Sequence, residues 1–568
     1  MDSKFLPTTP AELRDRGWDQ LDIILVSGDS YIDSPYIGVA VIGRVLEKAG
    51  YRVGIIAQPD FKSERDITRL GEPRLFWGVT GGSVDSMVAN TTASKKKRRT
   101  DDYTPGGVNN RRPNRAVMAY ANLIRRYYKN TQPVVLGGIE ASLRRVAHYD
   151  FWDDAVRRSI LFDAKADYLL YGMAEGSVLA LAQALQQGKD VTRLRGLCYI
   201  ARIPPQNYLE MPSFEEVSTD KLAFTNMFHT FYQNNDPITA HGLYQKHADR
   251  YLIQNPPAVY PPQHEMDAIY ALPYQRAQHP FYEKQGKVKA LETIRFSINM
   301  QRGCYGECNF CSIAVHEGRT VRWRSAESIL AEAEALTHLP DFKGYILDVG
   351  GPTANMYGFE CPLKLKEGAC ADKRCIYPIV CKALKPDHQK QTELLRRLRQ
   401  IPGVKKVFVG SGLRYDLVLA DKAHGNEYLK EITAYHVSGQ LKVAPEHSEQ
   451  YVLEKMGKTG AADLLEFKRR FDDYSRQAGL KQFLTYYLIA AHPGCTDDDM
   501  RRLKQFTSRE LHISPEQVQL FTPLPSTYSA LMYYTGLDPF TLKPLFVEKD
   551  PARREKQKQI IVEKPNIK

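Results

Sequence analysis

The stretch Arg302–Arg319, RGCYGECNFCSIAVHEGR, puts three of the chain's nine cysteines, Cys304, Cys308 and Cys311, within eight residues. Thiolates are the ligands that select soft metals and clusters, and their spacing limits what they can hold. A closed structural zinc site takes four ligands, and its cysteines usually arrive as two separated pairs with two-residue gaps. Here one such pair, Cys308-x-x-Cys311, has its extra member four residues upstream in the same loop. One loop wrapping a single face of an object suits a cluster better than a lone tetrahedral ion. A cubane iron–sulfur cluster takes four thiolates, so three from one loop leave one iron open to a further ligand. Gly303 and Gly306 let the backbone turn close to the sulfurs, where amides can stabilise their charge.

A second group, Cys361, Cys370, Cys375 and Cys381, has gaps of eight, four and five residues. Pro362, Pro378 and interspersed lysines make this stretch a loop rather than a helix. Four thiols in one loop can bind a structural zinc or a second iron–sulfur cluster, the alternative being incidental or redox-active cysteines.

The elements that must position these thiols form a β/α series. From Ile294 onward six strands are expected: Ile294–Met300, Tyr345–Val349, Lys406–Gly410, Leu441–Ala444, Phe483–Ala490 and Gln517–Phe521. Helical patterns separate them. Ser325 can cap a helix whose Ile329, Ala333, Leu336 and Leu339 fall near one face. Six units predict an open, partial (β/α)6 barrel over residues 291–539, interrupted by a cysteine-rich insertion at 358–388. Sites in such barrels form at the C-terminal ends of the strands, and the three-cysteine loop follows the first strand directly. Residues 1–200 also alternate, with strands at Leu21–Gly28, Arg52–Gln58, Arg74–Gly82, Pro133–Gly138 and Ala166–Gly172 and helices such as Tyr36–Gly50 and Arg115–Tyr128. This is the α/β pattern of a doubly wound parallel sheet, a Rossmann-like domain. Residues 201–290, rich in Pro, Tyr, Gln and His, read as an irregular connector. Residues 540–568 read as a basic tail, helical or irregular.

Composition narrows the function class. The chain has 568 residues, too many for one ordinary core, and 25 % are charged, as in ordinary globular proteins. No apolar run reaches the ~20 residues a membrane span needs. The N-terminal MDSKFLPTTPAELRDRGWD lacks an apolar core and a cleavage site, so the expected compartment is the cytosol, where thiols stay reduced. An odd, clustered cysteine count favours metal or redox chemistry over a disulfide framework. The formal charge of +12 favours anionic partners. Residues 91–120 carry eight Lys/Arg against two Asp, including KKKRR at Lys95–Arg99. That run reads either as a solvated, mobile loop or as a phosphate-binding arm for RNA or another polyanion.

The motif Cys304-x-x-x-Cys308-x-x-Cys311, placed after the first strand of a six-unit series, matches the signature of the radical S-adenosylmethionine (SAM) superfamily. The segments GGIEASLRRVAHYDFW (Gly137–Trp152), VGGPTANMYG (Val349–Gly358), CPLKLKEGACADKRCIYPIVC (Cys361–Cys381) and KVAPEHSEQYVLEKMGK (Lys442–Lys458), with Asp387-His388, resemble the YgiQ family over nearly the whole chain. The resemblance implies that the three thiolates bind a [4Fe–4S] cluster whose open iron chelates the amino and carboxylate groups of SAM. One electron then breaks the S–C5′ bond, giving methionine and a 5′-deoxyadenosyl radical that abstracts hydrogen from a substrate. It further implies Phe310 near the adenine and Gly350-Gly351 at the SAM amino group, unless these glycines form a simple turn. Ser411 and Arg414 would reach the SAM carboxylate or ribose, unless Arg414 merely opens a helix. Glu446 and His447 would orient ribose or substrate, or cap the next helix. Gly494 permits close backbone approach, and Cys495 reads as a buried structural cysteine ahead of the alternative, a substrate-radical partner. A one-electron donor of flavodoxin or ferredoxin type is implied.

The N-terminal sheet pattern is similar to that of corrinoid-binding domains beside some radical SAM barrels, although the Asp-x-His-x-x-Gly motif is absent. Ser27–Pro35 and Gly137–Ser142 could cradle phosphate at helix starts or be plain turns. The sequence therefore predicts a radical SAM enzyme acting on an RNA, a protein or a metabolite. The alternatives are a non-catalytic iron–sulfur redox sensor that binds nucleic acid and a corrinoid-dependent radical SAM methyltransferase.

Overall fold

The computed structural model describes residues 4–371, 373–515 and 518–562. They form two compact units, dividing between Arg295 and Phe296.

The first unit is built on a nine-stranded sheet. Its strands are β1 (Ile23–Ser27), β2 (Val53–Ala57), β3 (Phe76–Thr80), β4 (Val134–Gly137), β5 (Tyr168–Leu170), β6 (Leu197–Ala201), β7 (Leu209–Met211), β8 (Leu243–His247) and β9 (Arg250–Gln254). The spatial order is β7-β8-β9-β6-β5-β4-β3-β1-β2. Strands β2, β1, β3, β4 and β5 run parallel, in register Ile23↔Val53 and Ile23↔Phe76 at the centre. Strands β1 and β2 are buried along their whole length, as expected of a sheet covered on both faces. The chain passes from β1 to β2 on one side and returns to β3 on the other, so the topological switch lies between β1 and β3.

Residues 201–290 are not the irregular connector expected. They supply β7, β8 and β9, which extend the sheet through antiparallel pairs β6·β9 and β8·β9. LYQKH alternates in and out, whereas RYLIQ is buried over Leu252, Ile253 and Gln254, and the two are joined by a tight hairpin at Ala248, φ 55°. Polar Gln245 and His247 occupy inward positions, which hides the period-two pattern from a hydrophobicity reading.

The basic run folds into a small hairpin rather than a mobile loop. Thr91 bridges Lys97, and Lys95 N donates to Thr92 O at 2.9 Å. Lys95 and Lys96 sit at its tip and Lys97, Arg98 and Arg99 follow on the returning chain, and all five stay exposed.

The second unit carries six parallel strand positions in chain order. They are β10 (Ser297–Asn299), a second strand split into β11 (Tyr345–Ile346) and β12 (Asp348–Gly350), β13 (Lys406–Val407), β14 (Gln440–Glu446), β15 (Phe483–Ala490) and β16 (Gln519–Leu520). Neighbours pair sequentially, β10·β12, β11·β13, a bridge Leu413↔Val443, β14·β15 and β15·β16. Among the described residues the ladder stops there, which is the expected open barrel. Gln517, the expected start of the last strand, lies outside the described residues. The core joins strand residues Ile298, Val349, Val407, Leu441 and Val443 to helix residues Ile329, Ala333, Leu336, Leu395, Leu429 and Phe467. Ser325 caps the helix Ala326–Thr337, its Oγ accepting from Ser328 N at 3.1 Å. The tail is no loose appendage up to Val562, and residues 563–568 lie outside the described residues. Helix Pro551–Val562 buries Arg554 against Phe521 O, and Gln557 Nε2 donates to Cys495 O at 3.2 Å. Among the described residues no helix is long and apolar enough to cross a membrane.

Candidate cluster and cofactor site

The loop that leaves β10 is forced into its path by Gly303. This residue has φ +81°, and a Cβ on it would lie 2.6 Å from the Thr320 carbonyl oxygen. A side chain there would meet backbone, so glycine is required. The turned loop presents Cys304, Cys308 and Cys311, all half-buried and free of disulfides. Gly306 N donates to Cys304 Sγ at 3.3 Å, and Thr353 Oγ1 stands 3.6 Å from the same sulfur. Arg414 Nη1 donates to Cys308 Sγ at 3.5 Å.

These donors matter because the site is otherwise hostile to negative charge. Burial pushes the Cys304 thiol up, the neighbouring Cys308 adds to it, and Thr353, Gly306 and Arg414 oppose it. Burial pushes Cys311 well above the ordinary thiol range, reinforced by Cys308 and Cys304. Thiolates at Cys304 and Cys311 are favoured by a cationic partner, which deprotonates them as it binds.

Among the described residues Asp387, Asp421 and His424 bring three donor atoms within 4.8 Å of one another. The sulfurs of Cys304, Cys308 and Cys311 stand on one loop, and three thiolates from one loop suit a cluster with one open corner. Gly306 lines the space between them, since a Cβ there would sit 3.2 Å from Cys304 Sγ and 3.6 Å from Cys308 Sγ. The residues present therefore fit a cubane held at three corners.

Arg414 does not lie on the surface. It is buried at the start of helix Tyr415–Ala420, with Nε 3.0 Å from Asp416 Oδ1 and Nη2 on the other carboxylate oxygen. This fork aims the remaining nitrogen at Cys308. The Asp416 carboxyl is raised by burial but falls below its usual range because the Arg414 guanidinium outweighs it. Arg414, expected to reach the SAM carboxylate or ribose, contacts Cys308 Sγ in the structure.

Gly350 and Ser411 are brought together. A Cβ on Gly350 would lie 2.6 Å from Ser411 Oγ, and one on Gly351 would lie 2.7 Å from Gln301 Cγ. Asp348 organises this corner: its Oδ1 accepts from Gly410 N at 2.8 Å and Ser411 N at 3.1 Å, while Ser411 Oγ donates to Oδ2. The ends of the second and third strands are thus tied by a carboxylate that the sequence reading passed over. Its signal was an Asp in the middle of an apolar strand. Phe310 packs edge-on to His492, ring centres 6.4 Å apart.

Further round the barrel, Glu446 is buried and paired with Lys458 at 3.8 Å. His447 Nε2 lies 3.7 Å from Cys495 Sγ, and burial depresses its pKa to about 4. His492 is likewise pushed down to about 3 by burial, with Nε2 2.7 Å from Ser529 Oγ. Both rings are neutral at pH 7. Cys495 is fully buried, as expected of a structural cysteine.

The cysteine-rich insertion packs onto the cluster loop. Lys364 reaches Glu307 at 3.4 Å and Cys375 Sγ at 3.5 Å, Arg374 Nη1 donates to Glu307 O at 2.9 Å, and Arg319 Nη2 donates to Cys370 O at 3.1 Å. Tyr305, Met356, Phe359, Cys361 and Ile376 form one apolar cluster, with Cys304, Cys375 and Cys381 at its edge. Of the insertion's four free thiols Cys361 is buried, Cys375 and Cys381 are half-buried and Cys370 is exposed. Asp387, Asp421 and His424 sit around the start of helix Gln389–Arg399. Asp421 accepts from His388 N and His388 Nδ1 at 2.8 and 2.9 Å.

Two family models match the chain, one described as radical SAM N-terminal over residues 5–297 and one as the radical SAM superfamily over residues 298–507. A fold of this kind with that loop defines a radical SAM enzyme, whose cofactors are a [4Fe–4S] cluster and SAM. Within that class the chain belongs to the UPF0313 (YgiQ) family. It is 56 % identical to a UPF0313 protein of Fusobacterium nucleatum over 99 % of both chains. It is 49 % identical to one of Thermotoga maritima over 98 % of both. Among solved structures, its fold is similar to that of the radical SAM methyltransferase TsrM of Kitasatospora setae, described with cobalamin and a [4Fe–4S] cluster bound. That match has a TM-score of 0.51 and 16 % identity, covering 90 % of this chain and 77 % of that one. It is also similar to the cobalamin-dependent SAM radical enzyme OxsB, TM-score 0.50 and 11 % identity, over 92 % of this chain and 56 % of that one.

Proposed function

We propose that the chain holds its cluster on Cys304, Cys308 and Cys311, seats SAM against Gly350, Gly351, Ser411 and Phe310, and modifies an unactivated C–H position. When bound, the reduced cluster supplies the electron that splits SAM into methionine and a hydrogen-abstracting 5′-deoxyadenosyl radical. The chain's own residues do the rest. Gly306 N, Thr353 and Arg414 offset thiolate charge at two of the three sulfurs. Tyr305, Met356, Phe359 and Ile376 cover the loop with apolar surface and keep water from it. Asp348 clamps Ser411 and fixes the two strand ends that flank Gly350. The observation that carries this reading is the set of three half-buried thiols on one loop at the C-terminal end of the first barrel strand, met by Gly306 N, Thr353 and Arg414.

The partners are part of the proposal. The exposed Lys95–Arg99 run supports a polyanion, RNA included, as substrate or substrate carrier. A flavodoxin- or ferredoxin-type protein is the electron donor, and the cytosol is the compartment. The test is anaerobic reconstitution with iron and sulfide, followed by dithionite and SAM. 5′-Deoxyadenosine is expected from the native chain and not from Cys304→Ala, and equal traces from both would refute the reading. Corrinoid-dependent methyl transfer is the competing reading, raised by the cobalamin named for both fold neighbours. It requires a seat for the corrinoid in the N-terminal sheet.

A further inference from the structure

In open parallel sheets a ligand enters at the C-terminal ends of the strands, in the crevice where the strand order reverses. In the first unit that crevice lies beyond β1 and β3, and the chain itself fills it. Gly28, after β1, is pressed against the turn after β3: Gly28 N donates to Thr80 O at 3.1 Å, and a Cβ on it would lie 2.1 Å from Gly81 O. A Cβ on Gly81 would lie 2.3 Å from Glu140 Oε2, and one on Gly82 would lie 2.2 Å from Asp29 Oδ1. Beyond β4 the packing is as tight, since a Cβ on Gly138 would lie 2.4 Å from Thr80 Oγ1. Glycine lets backbone approach backbone at Gly28 and lets the side chains of Glu140, Asp29 and Thr80 close on the turns at Gly81, Gly82 and Gly138, so these strand ends are packed against one another.

The plug over this junction is Arg112, whose side chain is completely buried. Its Nη2 pairs with Asp29 Oδ1 at 2.9 Å and Asp101 Oδ2 at 3.0 Å, and its Nη1 donates to Gly81 O at 3.1 Å. Asp29 is the residue after Gly28, so the plug bonds to both strand ends at once. Asp29 Oδ2 also accepts from Ser83 N at 2.6 Å. Glu140, buried just beyond β4, accepts from Ser86 N at 2.9 Å and Val117 N at 3.1 Å. Gln58, after β2, closes the far side with Nε2 on Gly28 O at 2.9 Å and Thr104 Oγ1 at 2.7 Å. Segment 81–117 is thus stitched across the ends of β1, β2, β3 and β4. A ligand entering there would have to expel a buried guanidinium from two buried carboxylates, which would then stand uncompensated.

We propose that this segment permanently occupies the crevice where a nucleotide-tailed cofactor would dock, and that the enzyme works without a corrinoid. The sequence pattern of the sheet and the cobalamin named for the fold neighbours pointed the other way, and the residues present do not fit that group. The proposal concerns the N-terminal sheet alone and stands whether or not the proposed function holds.

The test uses the full native chain, produced in cells supplied with cobalamin and purified without oxygen. Cobalt is counted by mass spectrometry alongside iron and sulfide. Iron and sulfide at cluster stoichiometry with cobalt far below one per chain is the expected result. Hydroxocobalamin is then added in excess. It is expected to leave both the melting temperature and the hydrogen exchange of residues 28–30, 81–86 and 101–117 unchanged, because a ligand bound to the folded state stabilises it by mass action. Cobalt near one per chain, or new protection in those segments, would overturn the proposal. Absent 5′-deoxyadenosine in cobalt-free, iron-loaded protein would instead count against the proposed function and leave this inference standing.

Discussion

Replacing Arg414 by Gln removes a cation that the structure aims at Cys308, one of the proposed cluster ligands. Arg414 Nη1 lies 3.5 Å from Cys308 Sγ. At an effective dielectric of about 20, two unit charges at that distance interact by about 4.7 kcal/mol. Asp416 holds the same guanidinium through two other nitrogens and cancels much of this. A net effect of about 1–2 kcal/mol is expected, which for a one-electron couple is about 40–90 mV, since about 1.4 kcal/mol corresponds to about 59 mV. The sign follows from charge. Reduction adds an electron next to Arg414, so losing the cation disfavours the reduced state and lowers the potential. The assay is an anaerobic redox titration of the reconstituted protein followed by electron paramagnetic resonance. The single variant leaves Asp416 buried without its partner, so Arg414→Gln/Asp416→Asn is measured beside it. The double variant removes both charges and should return most of the way to the native potential. A single variant with full iron and sulfide and a potential within about 10 mV of native would refute the argument that Arg414 acts on the cluster.

Four further outcomes follow from the same geometry. Cys304→Ala, Cys308→Ala and Cys311→Ala should each lose most iron and sulfide under reconstitution, while the four alanine variants of Cys361, Cys370, Cys375 and Cys381 should retain the cluster; iron counting checks both. Gly303→Ala forces a side chain into φ +81° with its Cβ 2.6 Å from Thr320 O; it should cost about 1–3 kcal/mol of stability and reduce iron loading, and unchanged melting with full iron would contradict this. The Asp421 carboxyl is raised by burial, but hydrogen bonds from His388 and from the His424 and His388 amides outweigh this and hold it at about 2, against 3.8 when unperturbed. Because the folded value is the lower one, the stabilisation, on the order of 1 kcal/mol once solvent screening is allowed for, is present above pH ~4 and lost as pH falls toward ~2. Asp421→Asn should therefore be destabilised at pH 7 and converge with the native chain near pH ~2, as read by denaturant unfolding. Replacing Lys95, Lys96 and Lys97 by Ala should weaken RNA binding uniformly across sequences and lower the salt slope by about 2.

The chemistry was legible from local spacing. Three thiols at gaps of three and two residues, after a strand that opens a β/α series, are enough to specify a cluster loop, because eight consecutive residues cannot disperse. The sheet of the first unit and the open barrel of the second were legible for a similar reason: buried parallel strands read as continuous apolar runs such as IILVS and VGIIA. Where polar residues sit inside, as Gln245 and His247 do in the extension of the first sheet, the apolar signal vanished and the strands were missed. The tail takes the helical of the two forms expected, but its packing was hidden for the same reason, since its buried residues include Arg554 and Gln557.

What the sequence determined by itself is the inventory held in contiguous chain: the cluster cysteines, the glycines that turn their loop, and the strands that carry them. Only the tertiary structure decided which distant charges meet. Arg414 lies 106 residues from Cys308 and Asp348 lies 63 from Ser411, and no spacing rule connects them. The same holds for Arg112, drawn from a run that reads as exposed cationic loop and found buried between Asp29 and Asp101. A charge enters a protein interior only where partners from other strands stand ready to balance it, and folding alone sets that condition.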